Sequence, residues 1–207
     1  MRRGVFATAV LMVSAFMWVG VALPSIAADE KPETFIASLA NTAIRDLTDA
    51  SVSRDVRIER LEQIMAEKFA AKSIATWILG RHWKPATEEQ RDRYLSVYAR
   101  LMTESYVDRF TRYNGENLEV LRASAQGSKE SIVKTIMQRP GGFDPIKIDW
   151  RVRNSDGKWK VLDILVEGVS MAQAQRSDFA SSLRRLRGDM DAFLDELEQR
   201  ANEVASR

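Results

Sequence analysis

Cysteine is absent from the 207-residue sequence, and His82 is its single histidine. Without thiols the fold has no disulfide, and a catalytic Cys–His pair is excluded. Most zinc sites are excluded too, because a closed site takes several Cys or His ligands together. His82 lies in a predicted loop beside Arg81 and Lys84, and we interpret it as a surface or packing residue. We therefore expect no metal site.

Phosphate-binding glycine motifs and flexible linkers are also missing. Neither the Gly-Lys-Ser loop nor the Gly-x-Gly-x-x-Gly spacing occurs, so a nucleotide cofactor is unsupported and none is expected. The 10 glycines and 5 prolines are scattered, and no low-complexity segment divides the chain. With 45% hydrophobic residues, the chain has enough apolar surface for a full core. We predict a single domain over residues 28–207.

The amino-terminal residues have the composition of a targeting segment. Two arginines precede an uncharged run over residues 4–23, and the small residues Ser25 and Ala27 follow it. This order predicts a secretory signal peptide over residues 1–27, cleaved after Ala27. A retained anchor is the alternative, since about 20 apolar residues can span a bilayer. We favour export.

Cleavage would leave a chain without net charge. The full sequence has 31 basic and 29 acidic residues, and residues 1–27 contain two of the bases and none of the acids, which leaves 29 against 29. An excess of one charge is what attracts a protein to nucleic acid or to an anionic bilayer. Neither is therefore an expected partner.

Helical periodicity dominates the first half of the chain. Apolar spacing predicts three helices before Gly80, and a Thr87–Gln90 capping box predicts the start of a long fourth helix. That helix is expected to end at Asn114-Gly115 and to carry an aromatic and thioether stripe from Tyr94 to Tyr113. Taken residue by residue, we interpret the stripe as core packing rather than as a ligand wall.

The second half predicts a four-stranded antiparallel meander followed by two helices. The expected strands cover residues 118–125 and 131–139 and the two arms of a hairpin over residues 145–171, whose turn is Asn154-Ser155-Asp156-Gly157. A tight turn should place Trp159, Val161, Asp163 and Leu165 on the face of Trp150. Ser170 and Asp189 are expected to cap the final helices, which should cover the back of the last strand. The fold class is α+β.

Asp163 is the one acid predicted on an apolar face, and two roles are open to it. It could act as a general base, as in an isomerase. Alternatively it accepts a hydrogen bond from a nearby Tyr, Trp or Arg and fixes the sheet against the long helix. We favour the second role because no other titratable group is visibly placed to act with it.

Two stretches carry a resemblance to a known family. One runs from Leu79-Gly80 through Trp83 to Gln90-Arg91, and the other runs from Gly157 through Asp163 to Glu167-Gly168-Val169-Ser170-Met171. The chain resembles the MlaC family, also called the toluene-tolerance or ABC-transporter auxiliary family, over essentially all of its mature length. It departs from the family pattern at His82 and Leu162, where members often have Tyr.

The resemblance implies a periplasmic phospholipid carrier. It implies a cone like that of nuclear transport factor 2 (NTF2-like), in which a curved four-stranded sheet and helices enclose an apolar cavity for acyl chains. The implied partners are a phospholipid ligand, an outer-membrane lipoprotein complex and an inner-membrane ABC transporter with a substrate-binding ring. No covalent chemistry is implied, and we expect a monomer. Related branches point to other apolar lipids, such as a hopanoid.

Eight residues are candidates for the cavity wall, chosen for apolar character and facing: Tyr98, Leu101, Met102, Tyr106, Ile148, Trp150, Val161 and Met171. Two other functions stay open. One is an NTF2-like isomerase or hydratase that uses Asp163. The other is a periplasmic adaptor whose predicted cavity is a filled core, which a cavity too small for two acyl chains would favour.

Overall fold

The computed structural model describes residues 30–206, so the predicted signal peptide lies outside the described residues. Helices precede and follow one antiparallel sheet, which is the predicted α+β class. The elements are α1 Pro32–Leu47, α2 Arg54–Lys68, α3 Ala71–Leu79, α4 Glu88–Val107, β1 Asn117–Gln126, β2 Glu130–Gln138, β3 Ile146–Ser155, β4 Lys158–Val166, β5 Val169–Ser170, α5 Met171–Arg185 and α6 Met190–Ala205. Within this range no helix has the length and apolar character needed to cross a bilayer.

The sheet is a meander of five strands in the order β1-β2-β3-β4-β5. The prediction of four strands missed β5, which is two residues long and pairs with the end of β4. Glu167 and Gly168 form the turn between them, with φ of 48° and 81°. Asp156 and Gly157 turn the β3–β4 hairpin in the same left-handed region, as the Asp-Gly pair predicts for a two-residue hairpin turn.

Local capping signals place most of the helix starts. Thr87 accepts a hydrogen bond from the Gln90 backbone N–H while the Gln90 side chain accepts one from the Thr87 N–H, which confirms the capping box. Asp189 caps α6 through the Ala192 N–H. Ser170 likewise accepts the Gln173 N–H. Side-chain oxygens at these positions satisfy N–H groups that the helix itself leaves free.

The long helix is shorter than predicted. α4 ends at Val107, and a 3₁₀ turn over Phe110–Arg112 follows it, so Tyr113 lies outside the helix. The prediction extended the helix to Asn114-Gly115 because the apolar spacing continues through this turn. A 3₁₀ turn has nearly the same angular repeat over a few residues as the end of an α-helix, so spacing alone does not separate the two.

A β-bulge in the hairpin corrects the predicted face of Asp163. Val152 pairs with Val161, but the next pair is Arg151 with Asp163, which leaves Leu162 unpaired. One extra residue reverses the facing of every side chain beyond it. Ile164 therefore shares the face of Trp150, while Asp163 and Leu165 lie on the opposite face, contrary to the prediction.

The apolar interior consists of two separate clusters. The helical cluster contains buried residues of α3, α4, α5 and α6, among them Tyr94, Tyr98, Leu101 and Phe179. The sheet cluster joins α1, α2 and the end of α4 to β2, β3 and β4. In the described part of the chain, α4 alone contributes buried residues to both, with Val107 as its member in the sheet cluster.

The two final helices have different positions. α5 packs against β4, as predicted, whereas α6 lies along α4. Arg93 of α4 holds α6 through Asp195 and Glu198, at 2.6 and 2.8 Å. The prediction that both final helices cover the sheet is therefore right for α5 only, because the apolar residues of α6 belong to the helical cluster with α4.

Candidate functional site

The predicted cavity wall divides between the two clusters. Tyr98 and Leu101 are buried in the helical cluster, and Met102 packs against it. Val161 is buried in the sheet cluster, and Trp150 packs against that one. The two clusters meet beside α4. We call this boundary the seam; the predicted wall residues beside it are Tyr98, Leu101 and Met102 in the helical cluster and Trp150 and Val161 in the sheet cluster.

Ile148 lies at 8% exposure and belongs to neither cluster. Next to it, Thr135 donates a hydrogen bond to the Ile148 carbonyl at 2.6 Å and accepts one from the Trp150 indole N–H at 3.2 Å. This buried hydroxyl is fully engaged, so it adds no unsatisfied polar atom to the apolar face of the sheet.

The other two predicted wall residues are less enclosed. Tyr106 is 39% exposed, and the Arg109 guanidinium lies 5.1 Å from the centre of its ring. Met171 is the first residue of α5 and is half-buried. The structure therefore brings Tyr98, Leu101 and Met102 together, and Trp150 and Val161 together, but it does not gather all eight residues on one wall.

A groove of about 450 Å³ opens beside β4, between α3 and α5. Its size is within the usual range for small-molecule pockets, about 300–1,000 Å³. Its walls are partly apolar and partly charged, and the lining residues are Ser73, Ile74, Trp77, Arg151, Arg153, Leu162, Asp163, Ser170, Ala172 and Gln173. Pattern reasoning did not select this groove, because the bulge at Leu162 decides which β4 residues face it.

Asp163 lies in this groove and joins β4 to the start of α5. It accepts hydrogen bonds from the Ser170 hydroxyl at 2.5 Å, from the Ala172 N–H at 3.1 Å and from the Ile164 N–H at 2.9 Å. The favoured interpretation as a hydrogen-bond acceptor is confirmed, although the donors are a serine and the backbone rather than a Tyr, Trp or Arg. They fix β4 to α5, and not to α4.

Tyr98 is a buried tyrosine of the helical cluster. Burial raises the pKa of its hydroxyl, and the neighbouring Tyr106 and Asp163 raise it further, so it is protonated at neutral pH. Tyr98 also stacks on Tyr94 and meets Phe179 edge-on. The ring of Tyr98 therefore belongs to the helical cluster.

Two arginines form the charged side of the groove. Glu130, across the sheet on β2, accepts hydrogen bonds from Arg151 at 2.8 Å and from Arg153 at 2.5 Å. Partial burial acts to raise the pKa of Glu130, but the two arginines outweigh it and the pKa is lowered. The result is one carboxylate shared by two cations, which leaves this side of the groove positively charged.

The loop at residues 80–87, part of the first stretch that carries the resemblance, has a packing role. The Arg91 guanidinium lies 5.4 Å from the centre of the Trp83 ring and donates hydrogen bonds to the carbonyls of Trp83 and Lys84. His82 is half-buried beside Arg81, and burial together with that arginine lowers its pKa. These contacts agree with the interpretation of His82 as a packing residue. Across residues 30–206 no group of His, Asp and Glu is placed to hold a metal ion.

This arrangement of sheet and helices is the fold of a known class of structure. The model superimposes on the phospholipid-binding protein from Ralstonia solanacearum, solved in complex with a phospholipid, with a TM-score of 0.72. The match covers 85% of this chain and 99% of that one at 18% sequence identity. The two proteins share a fold in which helices pack around an open antiparallel sheet.

The sequence identifies the family. The model of the MlaC protein family matches residues 37–199, and the chain belongs to that family. It is similar to the intermembrane phospholipid transport system binding protein MlaC of Haemophilus influenzae, with 24% identity over 61% of the chain, and to the toluene tolerance protein ttg2D of Pseudomonas putida, with 25% identity over 66%. The matches span 59% and 64% of those two relatives.

Proposed function

We propose that this protein binds phospholipid and carries it through the periplasm, between an outer-membrane lipoprotein complex and an inner-membrane ABC transporter with a substrate-binding ring. The observation that carries the proposal is membership of the MlaC family over residues 37–199. It is supported by the phospholipid transport system to which the Haemophilus relative belongs and by the phospholipid held in the Ralstonia structure. The mature chain acts as one domain, over residues 28–207, and as a monomer.

The acyl chains lie in the seam. In this proposal the eight predicted wall residues face a cavity, the interior of an NTF2-like cone, that forms where the two clusters meet along α4. The helical cluster supplies Tyr98, Leu101 and Met102, and the sheet supplies Ile148, Trp150 and Val161. Tyr106 and Met171 lie at its exposed ends. Because the clusters share no buried side chain, they can separate without breaking either one.

Burial of the acyl chains supplies the affinity. Each methylene removed from water contributes about 0.8 kcal/mol, so the protein needs a dry wall and no covalent chemistry. The same wall fits another apolar lipid, such as a hopanoid, and the cargo is a matter for measurement. The predicted leader over residues 1–27 delivers the chain to the periplasm.

Native mass spectrometry of protein purified from a bacterial periplasm tests the proposal. We expect bound phospholipid in the wild type. Trp150→Asp should reduce the loaded fraction several-fold, because a carboxylate in an apolar wall is costly to desolvate. Leu121→Asp is the matched control, since Leu121 is an apolar residue of β1 with 50% exposure outside the seam, and its loading should match the wild type.

Two results would contradict the proposal. One is wild-type protein that carries no lipid and accepts none from detergent-dispersed phospholipid. The other is a folded Trp150→Asp variant with unchanged loading, which would remove Trp150 from the wall. Circular dichroism of each variant separates a loss of binding from a loss of fold.

A further inference from the structure

The groove beside β4 has features that the attachment of α5 to β4 through Asp163 does not explain. Arg151 and Arg153 line it, and each is nearly half exposed, at 49% and 45% of the side chain. Glu130 lies between them and is only 16% exposed. One shielded carboxylate is therefore held by two cations whose outer surfaces face the groove.

The arginines keep unused donors. Arg153 binds Glu130 through Nε and Nη2, and Arg151 does so through Nε and Nη2 as well. A guanidinium has further N–H donors beyond these, arranged as a fork that fits a phosphate or a carboxylate. Within residues 30–206 the Nη1 groups of both arginines make no side-chain or backbone hydrogen bond, so they are available to a ligand.

The acid of the groove does not cancel this charge. The Asp163 carboxylate is turned to the Ser170 hydroxyl and to the Ala172 and Ile164 backbone N–H groups. It lies at the N-terminus of α5, where the helix dipole already compensates a negative charge. The first turn of α3 reaches the groove at Ser73 and has no side-chain cap.

An apolar surface continues from the arginines. Ile74 and Trp77 of α3 and Leu162, the bulged residue of β4, line the same groove. Trp77 is 46% exposed, and the Arg176 guanidinium lies 4.6 Å from the centre of its ring. A groove with cations at one side and apolar side chains at the other matches an anionic amphiphile.

We infer that this groove binds the phosphate head group of a lipid, with Arg151 and Arg153 as its phosphate ligands. Ile74, Trp77 and Leu162 contact the glycerol end of the acyl chains. Glu130 aligns the two guanidinium groups and competes with the phosphate for them. This inference rests on the proposed lipid-carrier function and adds to it the recognition of a charged head group.

Two lipids with equal chains test the inference. Dioleoylphosphatidylglycerol has the phosphate and dioleoylglycerol lacks it, and affinity for both is measured by native mass spectrometry of the full mature chain after exchange from detergent. We expect the wild type to prefer the phosphate lipid by about tenfold or more, which is the scale of a charge-assisted contact. The preference should shrink as salt is added, because exposed charges are screened.

Three variants are expected to change the preference for the phosphate lipid in different ways. Arg151→Gln with Arg153→Gln should abolish the preference while dioleoylglycerol still binds. Glu130→Gln alone should increase the preference, because it frees the arginines. Arg122→Gln with Arg184→Gln is the control of equal charge change, at two exposed arginines outside the groove, and should leave the preference unchanged. If the double groove variant is unstable with Glu130 unpaired, the triple variant with Glu130→Gln removes the unpaired carboxylate and should still show no preference.

The outcomes separate the two proposals. Equal affinity of the wild type for the two lipids, or a preference that survives in the double groove variant, overturns the head-group inference and leaves the carrier function intact. Failure of the wild type to bind either lipid overturns both. Inorganic phosphate is the last arm: if it alone binds to the groove arginines as tightly as the phosphate lipid does, the ligand is a free phosphate and the inference is wrong.

Discussion

The helical cluster and the sheet cluster are both fully buried, but different forces fix their geometry. In the helical cluster, the rings of Tyr94, Tyr98, Phe179 and Phe193 meet edge-on or stacked at 5.2–6.3 Å. In the sheet cluster the most buried side chains are aliphatic. Those of Val133, Val152 and Val161 are held in register by the backbone ladders of β2, β3 and β4, and aliphatic residues of α1, α2 and α4 belong to the same cluster. One region therefore depends on side-chain shape and the other on main-chain hydrogen bonds.

This difference explains how a boundary between the two can exist. Aromatic contacts are specific in geometry, and a hydrogen-bonded ladder sets its own register, so each cluster is complete without the other. Only α4 runs through both. A ligand placed along α4 would displace contacts between the clusters and keep the contacts within them.

The largest expected effect is that of Phe179→Ala. Phe179 has no exposed surface and touches three other rings, so its removal should lower the free energy of unfolding by about 3–5 kcal/mol. Val152→Ala in the sheet cluster should cost about 2 kcal/mol. Urea denaturation measures both, and a Val152→Ala cost equal to that of Phe179→Ala would break the contrast between the clusters.

Asp163→Ala tests the link between sheet and helices. The substitution leaves the Ser170 hydroxyl and two backbone N–H groups without their acceptor, and we expect a loss of about 1–3 kcal/mol. Asp149→Ala is the control, because Asp149 is a half-buried acid on the neighbouring strand β3; we expect a loss within about 0.5 kcal/mol. Equal costs for the two variants would mean that Asp163 does not fix α5 to β4.

A matched pair of tyrosines on α4 gives a smaller effect. The buried Tyr94 hydroxyl donates a hydrogen bond to the Ala75 carbonyl at 2.9 Å, so Tyr94→Phe should destabilise by about 0.5–1.5 kcal/mol. The Tyr98 hydroxyl has no such partner within residues 30–206, and Tyr98→Phe should be close to neutral. Thermal denaturation measures both, and a Tyr98→Phe cost as large as that of Tyr94→Phe would contradict the assignment of the hydrogen bond to Tyr94 alone.

The smallest effect is pH-dependent and lies at the edge of the helical cluster. The Ser182 hydroxyl donates to Glu196 and lowers its pKa, partial burial acts against this, and Arg185 lowers it further below the ordinary 4.5. A lowered folded-state pKa stabilises the protein above pH 4.5, and the contribution is lost as pH falls through the folded-state value. Glu196→Gln should therefore flatten stability below pH 4.5, by under about 1 kcal/mol. An unchanged pH profile would contradict this assignment.

Structural features that depend on residues close together in the sequence could be predicted. Thr87, Ser170 and Asp189 cap the helices that the sequence assigned to them, and Asp156-Gly157 turns the hairpin. Family membership was also predicted, and the family model confirms it. The caps and the turn depend on chemistry between near neighbours, which the order of residues shows directly, whereas the family is identified by a match over residues 37–199.

Which side chains of β4 line the groove could not be predicted, because this depends on one unpaired residue, Leu162. Strict alternation would place Asp163 with Trp150, whereas the bulge at Leu162 reverses it. The sequence does not mark the extra residue clearly, because β4 has two runs of consecutive apolar residues, Val161-Leu162 and Ile164-Leu165-Val166. The division of the predicted wall residues between two clusters results from tertiary packing, and no local sequence pattern indicates it.

The separation of the clusters also sets an order of folding. The meander pairs only strands that are neighbours in sequence, so its contacts close short loops and form early. The helical cluster instead joins α4 to Phe193 of α6, which is distant in sequence, and the aromatic face of α4 is only partly covered, by α3 and α5, until the last helix arrives. Truncation of α6 should therefore leave a folded sheet beside an exposed apolar helix, and amide hydrogen exchange should find α4 unprotected while β2 and β3 remain protected.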